Sequence, residues 1–301
     1  MNWRWIVEQQ TEHTAVIHTV KRYIYSGRSK YQQIDIIETE DYGVCLILDG
    51  KVQSSTIDEF IYHEALVHPP MVTHPSPKSV LIVGGGEGAT AREVLKHSCV
   101  ERLVMVDLDE EVVKLSRTYI PQLSEGVFED KRFNLVIGDG RAYLEKCRER
   151  FDVIIVDVTD PLREGPSYLL YTKQFYELVK RALNPEGVMV TQATSTFYSS
   201  KSYCVIYNTL KNTFPVARAY SAWVPSYNSL WGFVMASLKH DPLSLSEHDV
   251  AQRLRQRGVT GLKFYTPDYH QALFKMPLYV RKQLEEEKDI ATDDNPTFMP
   301  A

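Results

Sequence analysis

The chain has 301 residues, 44% of them hydrophobic and 24% charged, which excludes disorder, collagen and coiled coil and allows one large domain or two smaller ones. Thirty-four Lys and Arg against thirty-nine Asp and Glu leave a net charge of −5, so a nucleic-acid partner, whose phosphates would be repelled, is disfavoured. An acidic excess gathered in one cleft would instead draw in a small cation.

The stretch from Met1 to Thr11 lacks the apolar core and small-residue cleavage site of a secretory leader. The longest apolar runs, such as Val80 to Val83 and Val153 to Val156, fall far short of the roughly 20 residues that span a bilayer. A cytoplasmic chain with no membrane partner is expected. Cys45, Cys99, Cys147 and Cys204 are far apart without a CxxC pair, which suggests reduced thiols rather than a zinc site or disulfides.

From Thr14 to about Ile57, short runs rich in Val, Ile, Tyr and Thr predict strands at Ala15 to Tyr25, Gln33 to Glu38, Val44 to Leu48 and Val52 to Thr56. Asp49-Gly50 between two of them is a hairpin signal. Residues 1–68 therefore read as a small antiparallel β domain, ending in a helix from Asp58 to Val67. Pro69, Pro70, Pro75 and Pro77 then mark a boundary that a helix is not expected to cross.

Beyond it, strand and helix alternate over residues 69–240. Strands are expected at Ser79 to Val83, Arg102 to Val106, Phe133 to Ile137, Phe151 to Val156 and Gly187 to Gln192. Helices are expected at Ala89 to His97, Glu110 to Tyr119, Arg141 to Glu149, Thr172 to Ala182 and Lys201 to Asn212. This is the signature of an α/β fold with an open, doubly wound, mostly parallel sheet, and the apolar strand centres fit burial on both faces. Ala217 to Val224 and Trp231 to Ser237 read as an antiparallel edge pair, and residues 241–301 as a helical extension.

Ligands of such sheets bind outside the carboxyl ends of the strands. The first strand ends in Gly84-Gly85-Gly86-Glu87-Gly88, which satisfies both dinucleotide and adenosylmethionine glycine patterns and also a plain packing turn. Glu87 would repel a pyrophosphate and suit a cation, which weakens a nicotinamide oxidoreductase reading. Asp107, twenty-three residues after Gly84, stands where an acid accepts ribose hydroxyls, while Asp109 suits a helix cap. Asp139-Gly140 ends the third strand and could accept an adenine amine. Asp157-Val158-Thr159-Asp160-Pro161 ends the fourth and offers two carboxylates to one cation or one proton transfer, with an Asx-turn as the plainer reading of Asp160. Tyr62, Tyr168, Tyr171, Tyr227 and Trp231 are expected in flanking loops, as core packing or as surfaces for an ammonium and its methylenes.

These residues carry a resemblance to the polyamine aminopropyltransferases, the spermidine synthase family. Tyr31-Gln32, Leu48-Asp49-Gly50-Lys51-Val52-Gln53, Asp58-Glu59-Phe60-Ile61-Tyr62-His63-Glu64, the glycine string and Asp157-Val158-Thr159-Asp160-Pro161 stand in that family's order and spacing. The resemblance implies a Rossmann-like catalytic domain of the class I adenosylmethionine-dependent type and a homodimer or homotetramer built through the β domain. It implies decarboxylated S-adenosylmethionine as co-substrate and a polyamine as acceptor, with no metal and no separate cofactor. By position, Gln32, Gln53, Gly84, Gly86, Asp107, Asp139, Gly140 and Pro166 would hold the thioadenosine. His63 and Glu87 would sit by the aminopropyl chain and the acceptor. Tyr62, Asp160, Tyr227 and Trp231 would guide the amine, and Asp157 would accept its proton.

His63, Glu87 and Asp107 stand where Gln, Asp and Glu are frequent in the family, and the loop from Pro161 to Tyr171 is longer by about two residues than the form associated with putrescine. These features look like the thermospermine and agmatine or triamine branches. Spermidine is the first acceptor expected, with agmatine or putrescine next; a methyltransferase or a non-catalytic polyamine-binding protein is a distant alternative.

Overall fold

The computed structural model of the chain describes residues 4–163 and 165–300. A hairpin of β1 (Arg4–Thr11) and β2 (Thr14–Val20) leads into an antiparallel four-stranded sheet of β3 (Arg22–Arg28), β4 (Gln33–Glu38), β5 (Val44–Leu48) and β6 (Lys51–Ser55). The β5–β6 turn is Asp49-Gly50, with φ of 46° and 77°. Two consecutive positive φ values are what the twist-matched hairpin turn demands, so the Asp-Gly signal is met as read.

Helix α1 (Glu59–Thr73) connects to the alternating part of the chain. There β7 (Ser79–Gly84), α2 (Ala89–Leu95), β8 (Arg102–Asp107), α3 (Glu110–Tyr119), β9 (Phe133–Ile137), α4 (Gly140–Lys146), β10 (Phe151–Asp157) and α5 (Lys173–Ala182) follow in turn. Next come β11 (Leu183–Ser195), α6 (Ser200–Lys211), β12 (Val216–Val224), β13 (Ser229–Ser237), α7 (Glu247–Gln256), α8 (Pro267–Leu273) and α9 (Leu278–Glu286). The described residues form one seven-stranded sheet, ordered β12-β13-β11-β10-β7-β8-β9. The β10–β11, β10–β7, β7–β8 and β8–β9 ladders are parallel, and β13 is antiparallel to both neighbours. The strand order reverses between β7 and β10, so the loops after these two strands diverge and leave a crevice.

Alternate residues of the central strands feed two cores. Val80, Ile82, Met105, Val153 and Ile155 pack with α1 residues such as Leu66, while Leu81, Val83, Val104, Ile154 and Val156 pack with α5 and α6 residues such as Phe175 and Ile206. A third cluster joins Ile34, Ile36, Leu46 and Leu48 of the four-stranded sheet to Val112 and Leu115 of α3. That contact seats the small sheet over the carboxyl ends of β7 and β8.

The structure corrects several expectations. Helix α1 runs through Pro69 and Pro70 to Thr73. Pro69 cannot donate to the carbonyl of Ala65, but the buried Tyr220 hydroxyl does so at 2.9 Å, which satisfies the orphaned acceptor a proline normally leaves. Strand β1 was not expected, because its burial is inverted: Glu8 and Gln10 face inward while Val7 is 57% exposed. The single expected strand Ala15 to Tyr25 is two strands separated at Lys21. Strand β9 lies at the sheet edge and is only partly buried, unlike the inner strands. The C-terminal segment carries three helices, but beyond α9 it continues as a strap: Asp293 pairs with Arg141 at 2.6 and 2.9 Å, and the Met299 amide donates to the carbonyl of Pro161 at 3.0 Å. No helix among the described residues is long and apolar enough to cross a membrane.

Candidate active site

The crevice at the strand reversal opens into a cavity of about 1200 Å³, counted out to its mouth. Fourteen of the fifteen site residues read from the sequence line it: Gln32, Gln53, Tyr62, Gly84, Gly86, Glu87, Asp107, Asp139, Gly140, Asp157, Asp160, Pro166, Tyr227 and Trp231. The fifteenth, His63, is fully buried behind Glu87 and does not border the cavity.

The glycine turn after β7 is forced on the chain by the neighbouring strand. Gly84 has φ of +88°, and a Cβ there would lie 2.0 Å from the backbone oxygen of Asp157. The Gly85 amide donates to that same oxygen at 2.9 Å. The two loops are thereby stitched together, and Glu87 is brought opposite Asp157.

On the β8 side, the Asp109 amide donates to Asp107 at 2.8 Å, and Gln32 and Ser29 donate to the Asp109 carboxylate at 3.0 and 2.6 Å. Asp109 also caps α3, as read. Gln32 thus bridges the small sheet to the end of β8. Asp139 lines the cavity, yet one of its oxygens caps α4 by accepting from the Ala142 amide at 2.9 Å, so its second oxygen is the one left for a ligand. Burial raises the Asp107 pKa to about 7, opposed by the Asp109 amide and reinforced by Glu87.

Both oxygens of Asp157 are held. The Tyr62 hydroxyl donates to one at 2.6 Å and the Thr90 hydroxyl to the other at 2.5 Å. Burial, then the charge of Glu87, pushes its pKa up, while His63 and the two hydroxyls pull it down. Asp160 accepts from Gln192 at 3.3 Å, and burial raises its pKa to about 6 against the pull of Lys51. Burial thus pushes up the pKa of Asp107, Asp157 and Asp160 together, and a cation among them would relieve this.

Opposite the acids stands an aromatic wall. Tyr62 meets Tyr227 edge-on with centroids 5.8 Å apart, and Tyr227 meets Trp231 at 4.8 Å. Tyr62 and Trp231 lie on α1 and β13 rather than in loops. Tyr227 is placed by Ser226, whose amide and hydroxyl donate to Asp58 at 2.6 and 2.9 Å, and its own hydroxyl donates to the Gln53 carbonyl. Tyr168 and Tyr171 are not on the wall: Tyr171 is buried and donates to the Thr159 carbonyl at 2.9 Å, and Tyr168 packs on Phe298.

Residues 59–246 match the spermine/spermidine synthase domain, and residues 4–64 match the spermidine synthase tetramerisation domain. The chain belongs to the polyamine aminopropyltransferase family. It is accordingly an enzyme of the aminopropyl-transferring type. Among its relatives, polyamine aminopropyltransferase 2 of Hyperthermus butylicus is 47% identical over 99% of this chain and 98% of its own. The polyamine aminopropyltransferase of Sulfolobus acidocaldarius is 41% identical over 99% of both. A spermidine synthase solved with the transition-state analogue AdoDATO superposes with a TM-score of 0.89 at 37% identity, covering 95% of this chain and 97% of its own. The spermidine synthase of Thermotoga maritima gives 0.86 at 36% identity, covering 95% and 96%.

For an aminopropyltransferase, the sequence reading missed several supporting residues. Gln192, the last residue of the strand expected at Gly187 to Gln192 and three residues short of the end of β11, donates to Asp160 and to the Val158 carbonyl, and the strand-end rule applied to the expected strand would have found it. Thr90 in the first turn of α2 and Lys51 beside Asp160 in a side recess carried no separate signal. Glu59 and Arg92 form a buried ion pair at 2.8 Å behind His63, legible only once α1 and α2 are packed together.

Proposed function

We propose that the chain transfers the aminopropyl group of decarboxylated S-adenosylmethionine to a polyamine, with spermidine as first acceptor and thermospermine or its isomer spermine as product. The observation that carries the reading is Asp157, clamped on both oxygens opposite Glu87, between the glycine turn and the aromatic wall. The thioadenosine would lie along Gln32, Asp107, Asp139 and Pro166, the aminopropyl ammonium by Glu87, and the acceptor along Tyr62, Tyr227 and Trp231 toward Asp160.

A free alkylamine has a pKa near 10.4 and is protonated at neutral pH. Asp157 takes one proton from it, and the nitrogen lone pair then attacks the propyl carbon bonded to sulfur. The new C–N bond forms as the C–S bond breaks, its electron pair returns to the sulfonium, and neutral methylthioadenosine leaves. Because the sulfonium is already an activated leaving group, we propose that neither metal nor cofactor takes part. A carboxylate is a weak base, so in-line positioning against the aromatic wall supplies much of the rate.

The long acceptor rests on the length of the loop from Pro161 to Tyr171, whose Leu162, Gly165 and Pro166 line a small recess beside Asp160. One observation favours a shorter amine: Lys51 lines the same recess and would oppose a third ammonium, which suits agmatine or putrescine. An acceptor screen with mass-spectrometric separation of thermospermine from spermine tests this. Spermidine should turn over fastest; faster turnover of agmatine or putrescine would overturn the acceptor while keeping the reaction. We further propose a homotetramer, or at least a homodimer, joined through the β1–β2 hairpin, where Val7 and Ile17 are 57% and 60% exposed. Four free thiols suit a reducing, cytoplasmic compartment.

A further inference from the structure

His63 was expected by the aminopropyl chain and the acceptor; its ring lies behind Glu87 and does not border the cavity. Its Nδ1 lies 2.8 Å from Glu59 and its Nε2 lies 3.0 Å from Glu87, and the ring is fully buried. Two carboxylates on the two ring nitrogens call for a proton on each, since only the imidazolium donates on both sides. A ring so engaged has no lone pair for a metal, although a nitrogen of His63 and carboxylate oxygens of Glu87 and Asp157 all lie within 4.8 Å of one another.

The groups around this ring form one charge ledger. From its own helix, Glu59 accepts from it and Tyr62 meets it edge-on at 5.1 Å. From the glycine loop comes Glu87, and from the end of β10 comes Asp157. From α2, Arg92 neutralises Glu59 at 2.8 and 3.0 Å and donates to Glu93 at 2.9 Å. Glu93 in turn pairs with His68 at 3.0 Å and Lys96 at 2.8 Å. Arg92 thus answers Glu59, which leaves the positive charge of His63 to answer Glu87.

We propose that His63 is a positioning residue for the transfer: held as a cation between Glu59 and Glu87, it fixes Glu87 and offsets the charge that Glu87 imposes on Asp157. This rests on the aminopropyl-transfer reading, in which Asp157 must be free of its proton. Burial alone would favour the neutral ring, but the two carboxylates outweigh it and hold its pKa up, at about 10. Burial would likewise favour a protonated Glu59, yet His63 and Arg92 hold it down at about 2. Without the cation, Asp157 faces Glu87 uncompensated and binds its proton more tightly.

Two variants and one map test the proposal. His63→Gln keeps a hydrogen-bond donor to Glu87 but loses the charge, and His63→Ala loses both. Methylthioadenosine release is followed against pH with decarboxylated S-adenosylmethionine and the best acceptor. The acidic limb of kcat/KM should move up by roughly one to three pH units in both, as loss of a cation within about 4–6 Å does. The donor KM should rise in His63→Ala and return toward the parent value in His63→Gln. A purely structural role would lower activity without moving the limb, so a folded His63→Gln enzyme with an unshifted profile overturns the proposal. Neutron diffraction of the resting enzyme at pH 8 reads the ring directly: hydrogen on both nitrogens is expected, and hydrogen on one contradicts it. A doubly protonated ring in an enzyme that releases no methylthioadenosine with any amine would sink the proposed reaction and not the clamp.

Discussion

Replacing Asp157 by Asn removes the proposed proton acceptor while keeping its volume. The amide oxygen can still accept from one of the two hydroxyls that hold the carboxylate, Tyr62 at 2.6 Å or Thr90 at 2.5 Å; the other then faces an N–H donor. Thr90 lies in the first turn of α2, where its hydroxyl can turn to a backbone carbonyl. An unsatisfied buried hydroxyl costs about 1–3 kcal/mol, and this is opposed by relief of a buried carboxylate that desolvation already disfavours, so the fold should survive. Loss of a general base lowers the rate by about 10²–10⁴. At saturating donor and acceptor, kcat measured by methylthioadenosine release should fall by that factor, while calorimetric affinity for methylthioadenosine stays within about threefold, because Asp157 is not among the residues assigned to the nucleoside. A folded variant with kcat within tenfold of the parent would refute the role given to Asp157.

Three further outcomes follow from the same geometry. Asp160→Asn should raise the acceptor KM roughly tenfold to a hundredfold, the worth of a charged hydrogen bond, with the donor KM little changed; in the parent, acceptor binding should weaken as pH falls through about 6, where Asp160 gains its proton. Steady-state kinetics against both substrates would show an equal loss for each if the assignment is wrong. Gly84→Ala places a methyl 2.0 Å from the Asp157 backbone oxygen at φ of +88° and should cost at least about 3 kcal/mol, read as a lower melting temperature or loss of folded protein. Tyr220→Phe removes the donor to the Ala65 carbonyl and should cost about 1–3 kcal/mol in denaturant unfolding; an unchanged midpoint would mean that the proline-bearing helix needs no such support.

The site was legible where chemistry sits at strand ends. Asp107 and Asp157 close apolar strand runs, Glu87, Asp139 and Asp160 follow such runs within three residues, and the parallel sheet gathers such positions at one edge. The Asp49-Gly50 hairpin was equally plain, since few residue pairs tolerate two positive φ values. What local sequence could not show depended on contacts from far along the chain. Helix α1 passes Pro69 with the Ala65 carbonyl satisfied because Tyr220, 155 residues later, supplies the donor that this proline lacks. Strand β1 escaped notice because its buried face is polar, with Glu8 matched by His18 at 3.0 Å and so able to sit inside. His63 carried a motif position that suggested a place by the substrates, but only the packing of α2 against α1 brings Arg92 onto Glu59 behind it. Gln192 was legible by the same strand-end logic, as the polar residue that ends the expected run Gly187 to Gln192.

The most direct test follows the label. Decarboxylated S-adenosylmethionine carrying ¹³C in the propyl chain, incubated with the enzyme and spermidine, should yield methylthioadenosine and a polyamine that has gained three labelled carbons in equal amounts, with ordinary S-adenosylmethionine inert in parallel. A product that has gained an unlabelled methyl, with the propyl label left on the nucleoside, would contradict aminopropyl transfer and show the acid-lined cavity to be that of a methyltransferase.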